Sequence, residues 1–145
     1  MLIRTSIALV ALTVGNFAMA QMTPVGTWQS IDDKTKEAKA EIVITDTAGV
    51  LSGKMTKLLR KTADQYAKCT ECSDDRKDKP MVGLEISRGA KKAAEKEVWE
   101  DGKILYPENG KNYTLRLTPI ESGKKLEVRG SIFGIGRTQT WVRVQ

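Results

Sequence analysis

Apolar and polar residues alternate along most of this 145-residue chain, and the alternation is cut by Gly, Pro, Asn and Asp. A period of two places every second side chain on one face of a strand. Val25–Ser30 is a short run around Trp28, and Glu41–Thr45 is rich in β-branched residues. Val50–Leu59 alternates in places and is broken by Gly53, while Met81–Ser87 puts Val82, Leu84 and Ile86 on one face. Val98–Glu100 and Lys103–Tyr106 flank Asp101-Gly102, a dipeptide that suits a two-residue hairpin turn. Pro107-Glu108-Asn109-Gly110 is a second turn, followed by the alternation of Tyr113, Leu115 and Leu117 with Thr114, Arg116 and Thr118. Glu121–Lys124 turns the chain again, Leu126 and Val128 alternate with Glu127 and Arg129, and Arg137–Val144 forms the last run. The pattern predicts an all-β fold of about eight antiparallel strands, a barrel or a sandwich. No long crossover helix is available to connect parallel strands.

Two segments depart from this pattern. Ala90–Glu97 has strong helix formers and no apolar face, so it reads as an exposed excursion between two strands, either a helical turn or a charged hairpin loop. Arg60–Lys79 is highly charged, holds both cysteines and reads as a long loop, with a short helix over Lys57–Tyr66 as the alternative.

The N-terminus has a different design. Arg4, the apolar stretch Ile7–Val14, the breakers Gly15 and Asn16 and the box Ala18-Met19-Ala20 follow the order of a cleavable signal peptide. The apolar stretch is far shorter than the ~18 residues of a membrane span. The sequence therefore predicts a signal peptide over residues 1–20 and one domain over residues 21–145, exported to a periplasm or beyond. No cysteine follows Ala20 to take a lipid anchor.

Charge and composition narrow the function. The chain carries 24 Lys and Arg against 18 Asp and Glu, for a net charge of +6, and Arg4 belongs to the leader. An exported basic domain meets anionic envelope components before nucleic acid, and the basic residues are scattered rather than gathered in a stripe, which argues against nucleic acid and suits a charged surface that keeps the domain soluble. There is no histidine. A Ser-His-Asp or Cys-His centre is thereby ruled out, and two thiols fall short of a catalytic zinc site. Cys69 and Cys72 are the two cysteines. In an oxidising compartment a local disulfide is their simplest state; a redox pair, a zinc shared between two chains and free thiols are the alternatives. Asp32-Asp33 and Asp74-Asp75 read as solvated turn acids, because neighbouring side chains on a strand point to opposite faces. Carboxylates are plentiful, so the composition leaves a carboxylate-based hydrolase open, and no loop carries a calcium signature.

Several pieces, in order, resemble the DUF2147 family of uncharacterised exported bacterial proteins. They are Gly26-Thr27-Trp28, Cys69-x-x-Cys72, Pro80–Leu84, and Trp99 through Asp101-Gly102 to Pro107–Lys111 and Tyr113. The C-terminal pieces are Leu126-x-Val128-Arg129-Gly130 and Phe133-Gly134-x-Gly136 through Arg137 to Trp141. The resemblance implies no established activity and no catalytic residues.

Gly26-x-Trp28 on a first strand, with Arg137 or Arg143 on the last, is also similar to how lipocalin-like barrels begin and end. That similarity implies a small up-and-down barrel in which the arginine stacks on the tryptophan and closes one end. Trp28, Trp99, Tyr113, Arg129, Arg137 and Trp141 are the candidates for closing the barrel or lining a cavity, with core packing as the competing role for the aromatics. Arg129 and Arg137 flank the glycine-rich Gly130–Gly136, which reads as a kinked hairpin, and can hold an anionic ligand or pair at the surface. The leading expectation is a barrel that binds a small apolar or anionic ligand without cofactor, metal or catalysis. A structural or protein-interaction module of the envelope is the alternative.

Overall fold

A computed structural model describes residues 22–145. The leader expected over residues 1–20, and Gln21 after it, lie outside the described residues. Eight antiparallel strands form one closed barrel in chain order. They are β1 (Gly26–Ile31), β2 (Ala38–Thr47), β3 (Val50–Leu58), β4 (Glu85–Lys92), β5 (Trp99–Tyr106), β6 (Lys111–Ile120), β7 (Lys125–Ile132) and β8 (Ile135–Arg143). Each strand pairs with the next, and β8 returns to β1 through Trp28↔Arg143, Gln29↔Val142 and Ser30↔Trp141. Closure leaves no strand edge exposed.

The alternation sorts side chains as the pattern requires. Ala40, Ile42 and Ile44 of β2, Leu115 and Leu117 of β6, and Leu126 and Val128 of β7 are buried, while the residues between them face outward or sit at half depth. Up-and-down topology gives the barrel two distinct ends. One end receives the start of β1, the end of β8 and the β2–β3, β4–β5 and β6–β7 connections, the last a 3-10 turn over Glu121–Gly123. Trp28, Ile44, Leu51, Trp99, Leu117 and Leu126 fill this end, and all are buried. The other end receives the β1–β2, β3–β4, β5–β6 and β7–β8 connections, and its inward positions include Ser30, Ala40 and Gly130.

Three expectations are corrected. Asp101-Gly102 is no hairpin turn; it is a bulge inside the single strand β5, with a register shift between Trp99 and Gly102. Asp101 has φ 63, and a Cβ on Gly102 would stand 2.8 Å from Ala90 N and Arg88 O, so glycine is what lets β4 approach. The fourth strand starts at Glu85 rather than Met81, and Val82 stays partly exposed in the preceding loop. Ala90, Lys91 and Lys92 extend β4, and only Ala93–Val98 makes the excursion, closed by Ala93 N donating to Val98 O at 2.8 Å. β3 runs unbroken through Gly53.

The long loop carries no helix but is pinned throughout. Cys69 and Cys72 form a buried disulfide. Lys68 bridges to Pro80, and Asp78 N donates to Cys69 O at 2.9 Å. Arg76, only 5% exposed, donates to both oxygens of Asp74, to Glu85 O at 2.8 Å and to Asn112 Oδ1 at 2.9 Å. One arginine thus ties the loop to β4 and β6. Its grip holds the Asp74 carboxyl well below the usual carboxylate range. Asp75 is likewise lowered by Arg88, which also pairs with Glu85.

Candidate functional site

The two ends of the barrel are built for different tasks. At the filled end the Arg143 guanidinium lies 4.2 Å from the Trp28 ring centre. It donates to Gly123 O (2.6 Å), Val25 O (2.8 Å) and Thr23 O (2.6 Å). Trp28 Nε1 donates to Pro24 O at 2.8 Å. One side chain from the last strand therefore clamps the segment before β1 and the 3-10 turn over the tryptophan. Desolvation pulls the Arg143 pKa down, as burial of a cation must. Of the two arginines weighed for this position, Arg143 occupies it. Trp99 lies towards the same end, under Lys92.

The other end holds a cavity of about 410 Å³, within the range of small-molecule sites. Its wall is mostly apolar, with Ile42, Met55, Leu58, Ile86, Leu105 and Trp141. Ser30 and Gln139 are buried polar residues on the same wall. Arg60, Asp64, Glu108 and Arg137 stand among its charged residues, and Ala63 and Ala67 of the long loop contribute to its lining. The cavity follows from side-chain size. Serine, alanine and glycine occupy inward positions at this end where the filled end has tryptophan, leucine and isoleucine.

Two lining residues carry unmet polar atoms. Tyr106 Oη and Trp141 Nε1 are buried, and neither has a hydrogen-bond partner of good geometry among the described residues. Buried polar groups are nearly always paired, so two orphans on one cavity wall call for a partner. Gly130 explains the position of the first, since a Cβ there would stand 2.6 Å from Tyr106 Oη. The Arg137 guanidinium lies 5.6 Å from the Tyr106 ring centre, and Tyr113 packs on the same ring at 4.6 Å. Burial raises the Tyr106 pKa, and the Arg137 charge opposes that rise, so the hydroxyl keeps its proton and remains a donor at neutral pH.

The structure brings together only part of the expected set. Trp141 and Arg137 line the cavity; Tyr113 supports Tyr106 from behind, its own hydroxyl accepting from Asn109 Nδ2 at 3.1 Å. Arg129 faces outward and reaches Thr138 Oγ1 (3.4 Å) and Gly134 O (3.2 Å). Ser30 and Gln139 carry no signal in the sequence, and Tyr106 carries none beyond being one of the few aromatics. Nothing in their spacing marks them; they become neighbours only when the barrel closes. Asp32 is a turn acid, as expected, but it is held by partners rather than free. It accepts from Lys34 N and Thr35 N, each at 2.9 Å, and from Arg60 at 2.5 Å, and its pKa falls to about 2, led by the Thr35 amide. Among the described residues no three His, Cys, Asp or Glu side chains stand close enough to hold a metal ion, and no helix is long and apolar enough to cross a membrane.

A family model described as "uncharacterized protein conserved in bacteria (DUF2147)" matches residues 26–143, from the first residue of β1 to the last of β8. The chain belongs to the DUF2147 family. None of the curated proteins is significantly similar in sequence. Among solved structures, protein HP1028 from Helicobacter pylori, described as belonging to the lipocalin family, superposes with a TM-score of 0.70. The two are 17% identical, and the match covers 83% of this chain and 82% of that one. At that identity the likeness concerns the fold: this DUF2147 chain is a lipocalin-like barrel.

Proposed function

We propose that this DUF2147 protein is an exported envelope protein that takes a small, mainly apolar ligand into the open end of its barrel and holds it without chemical change. The cavity carries the reading, because its apolar wall includes two buried donors with no acceptor of good geometry among the described residues, Tyr106 Oη and Trp141 Nε1. A ligand with an acceptor group at one end would satisfy them, and Arg137 at the wall suits an anionic form of that group. Export rests on the leader-like residues 1–20 and on the disulfide, which suits an oxidising compartment. The chain's lack of histidine supports a binding role over a catalytic one.

Native mass spectrometry of the protein from its own host, with a denatured control, tests this reading. The expected result is an added mass that leaves on denaturation. Anilinonaphthalene sulfonate, an apolar anion, provides a second readout. It should bind with one-to-one stoichiometry, and Arg137→Ala should weaken it several-fold. A bare protein that also fails to bind the dye would refute the proposal.

A further inference from the structure

The hairpin between β7 and β8 breaks two rules at one residue. Its turn is Phe133-Gly134, closed by the Ile132↔Ile135 pair. Both turn residues have positive φ, 52° at Phe133 and 79° at Gly134. Such a turn favours Asn, Asp or Gly at its first position, because a bulky side chain is strained there. The residue present is a phenylalanine, and it is 99% exposed. Ile135 beside it is 82% exposed and Ile132 is 41% exposed. Local conformation and solvation both argue against this sequence, so the tip gains its value from something outside the barrel.

We infer that the Ile132–Ile135 tip is a docking point that inserts into the interface of an anionic lipid bilayer. Three observations select that occupant. The hairpin from Val128 to Trp141 contains Arg129 and Arg137 and no carboxylate, so its charge complements an anionic surface. The long loop at the same end of the barrel presents Tyr66, 89% exposed, a residue type that settles at the bilayer interface. The tip itself is small. Three such side chains offer on the order of 400 Å², about half of what each partner contributes to a standard protein interface. A second copy of the chain would thus find too little to hold, whereas a bilayer needs only a shallow apolar anchor. Docked in this way, the open end of the barrel faces the lipid.

Flotation with lipid vesicles tests the inference, using protein expressed in full and purified as its host processes it. Vesicles of phosphatidylcholine with one quarter phosphatidylglycerol should carry the protein up the gradient. Pure phosphatidylcholine should carry less, and raising salt to about 0.5 M should weaken the interaction. Phe133→Asn should reduce vesicle partitioning by about tenfold or more. The same variant should match or exceed the parent in urea midpoint, because Asn suits the turn; a misfolded variant therefore cannot mimic the result. Absence of flotation, or flotation unchanged in Phe133→Asn, would overturn the inference. So would a concentration-dependent dimer that disappears in Phe133→Asn, which would assign the tip to a second copy.

Discussion

Removing the Arg143 side chain should open the filled end of the barrel. Among the described residues the guanidinium makes three charge-assisted bonds to main-chain carbonyls, and it stacks on Trp28. Bonds of this kind contribute about 1.5–3 kcal/mol each, but they share one side chain and do not add. In Arg143→Ala, water can reach the half-buried Thr23 and Val25 carbonyls, whereas Gly123 is buried. One stranded carbonyl costs about 1–3 kcal/mol, and the lost stacking about 1 kcal/mol more. The expected loss is thus about 3 kcal/mol, equivalent to roughly 10 °C in Tm for a domain of this size. Arg143→Lys keeps the charge but loses the planar fork, and should recover less than half of that, about 1 kcal/mol. Urea unfolding followed by tryptophan fluorescence measures both variants. Arg129→Ala is the internal control, since Arg129 is a half-exposed strand residue on the outside of the barrel and should change stability by less than about 0.5 kcal/mol. The reasoning fails if Arg143→Ala stays within about 1 kcal/mol of the parent, or if the lysine variant equals it.

The Cys69–Cys72 disulfide closes only a very short loop, so reducing it with dithiothreitol should lower unfolding free energy by only about 2 kcal/mol; a protein that unfolds outright on reduction would contradict this. Acid should act through Asp32, Asp74 and Asp75, whose pKa values are all lowered in the folded state. Depressed folded pKa values stabilise the protein above the ordinary carboxylate pKa of about 4, and that stabilisation is lost as pH falls from there towards 2 and below. The urea midpoint should therefore be flat from about pH 7 to 5 and drop below about 4, less steeply in Asp74→Asn; an equal drop in that variant would remove Asp74 from the account. Gly130→Ala should cost about 1–3 kcal/mol by pressing on Tyr106 Oη, and Tyr106→Phe should return part of that loss in the double variant; strictly additive effects would show that the two positions do not touch.

Much of the barrel was legible along the chain because the solvent faces of its strands are polar. β6 and β7 show this best, with Leu115, Leu117, Leu126 and Val128 alternating with charged or hydroxyl residues. The same local signals misled at Asp101-Gly102. A hairpin turn and this bulge both place a residue with positive φ beside a glycine, and only the pairing of β5 with its neighbours, shifted against β6, distinguishes them. Met81–Leu84 failed for a related reason, since apolar alternation also suits a loop that tucks Leu84 into the core and leaves Val82 outside. The cavity was the least legible part. Ser30, Tyr106 and Gln139 belong to the first, fifth and eighth strands, and sequence spacing carries no sign that they meet.

The two ends of this barrel treat their buried polar groups differently. The filled end satisfies its polar groups: Trp28 Nε1 finds Pro24, and Arg143 finds three carbonyls. At the open end Tyr106 Oη and Trp141 Nε1 find no partner of good geometry among the described residues, and Phe133 stands in a turn that disfavours it. Folding alone would favour phenylalanine over tyrosine at 106 and asparagine over phenylalanine at 133, and neither change would disturb the sheet. Strained turns occur at both ends, with Ala48 at φ 52 and Ser122 at φ 56 beside the filled end, so backbone strain alone does not separate them. What separates them is chemistry: the Trp28–Arg143 end satisfies its donors, whereas the cavity end combines unmet donors with an exposed phenylalanine, which suits the ligand-binding and docking roles proposed above.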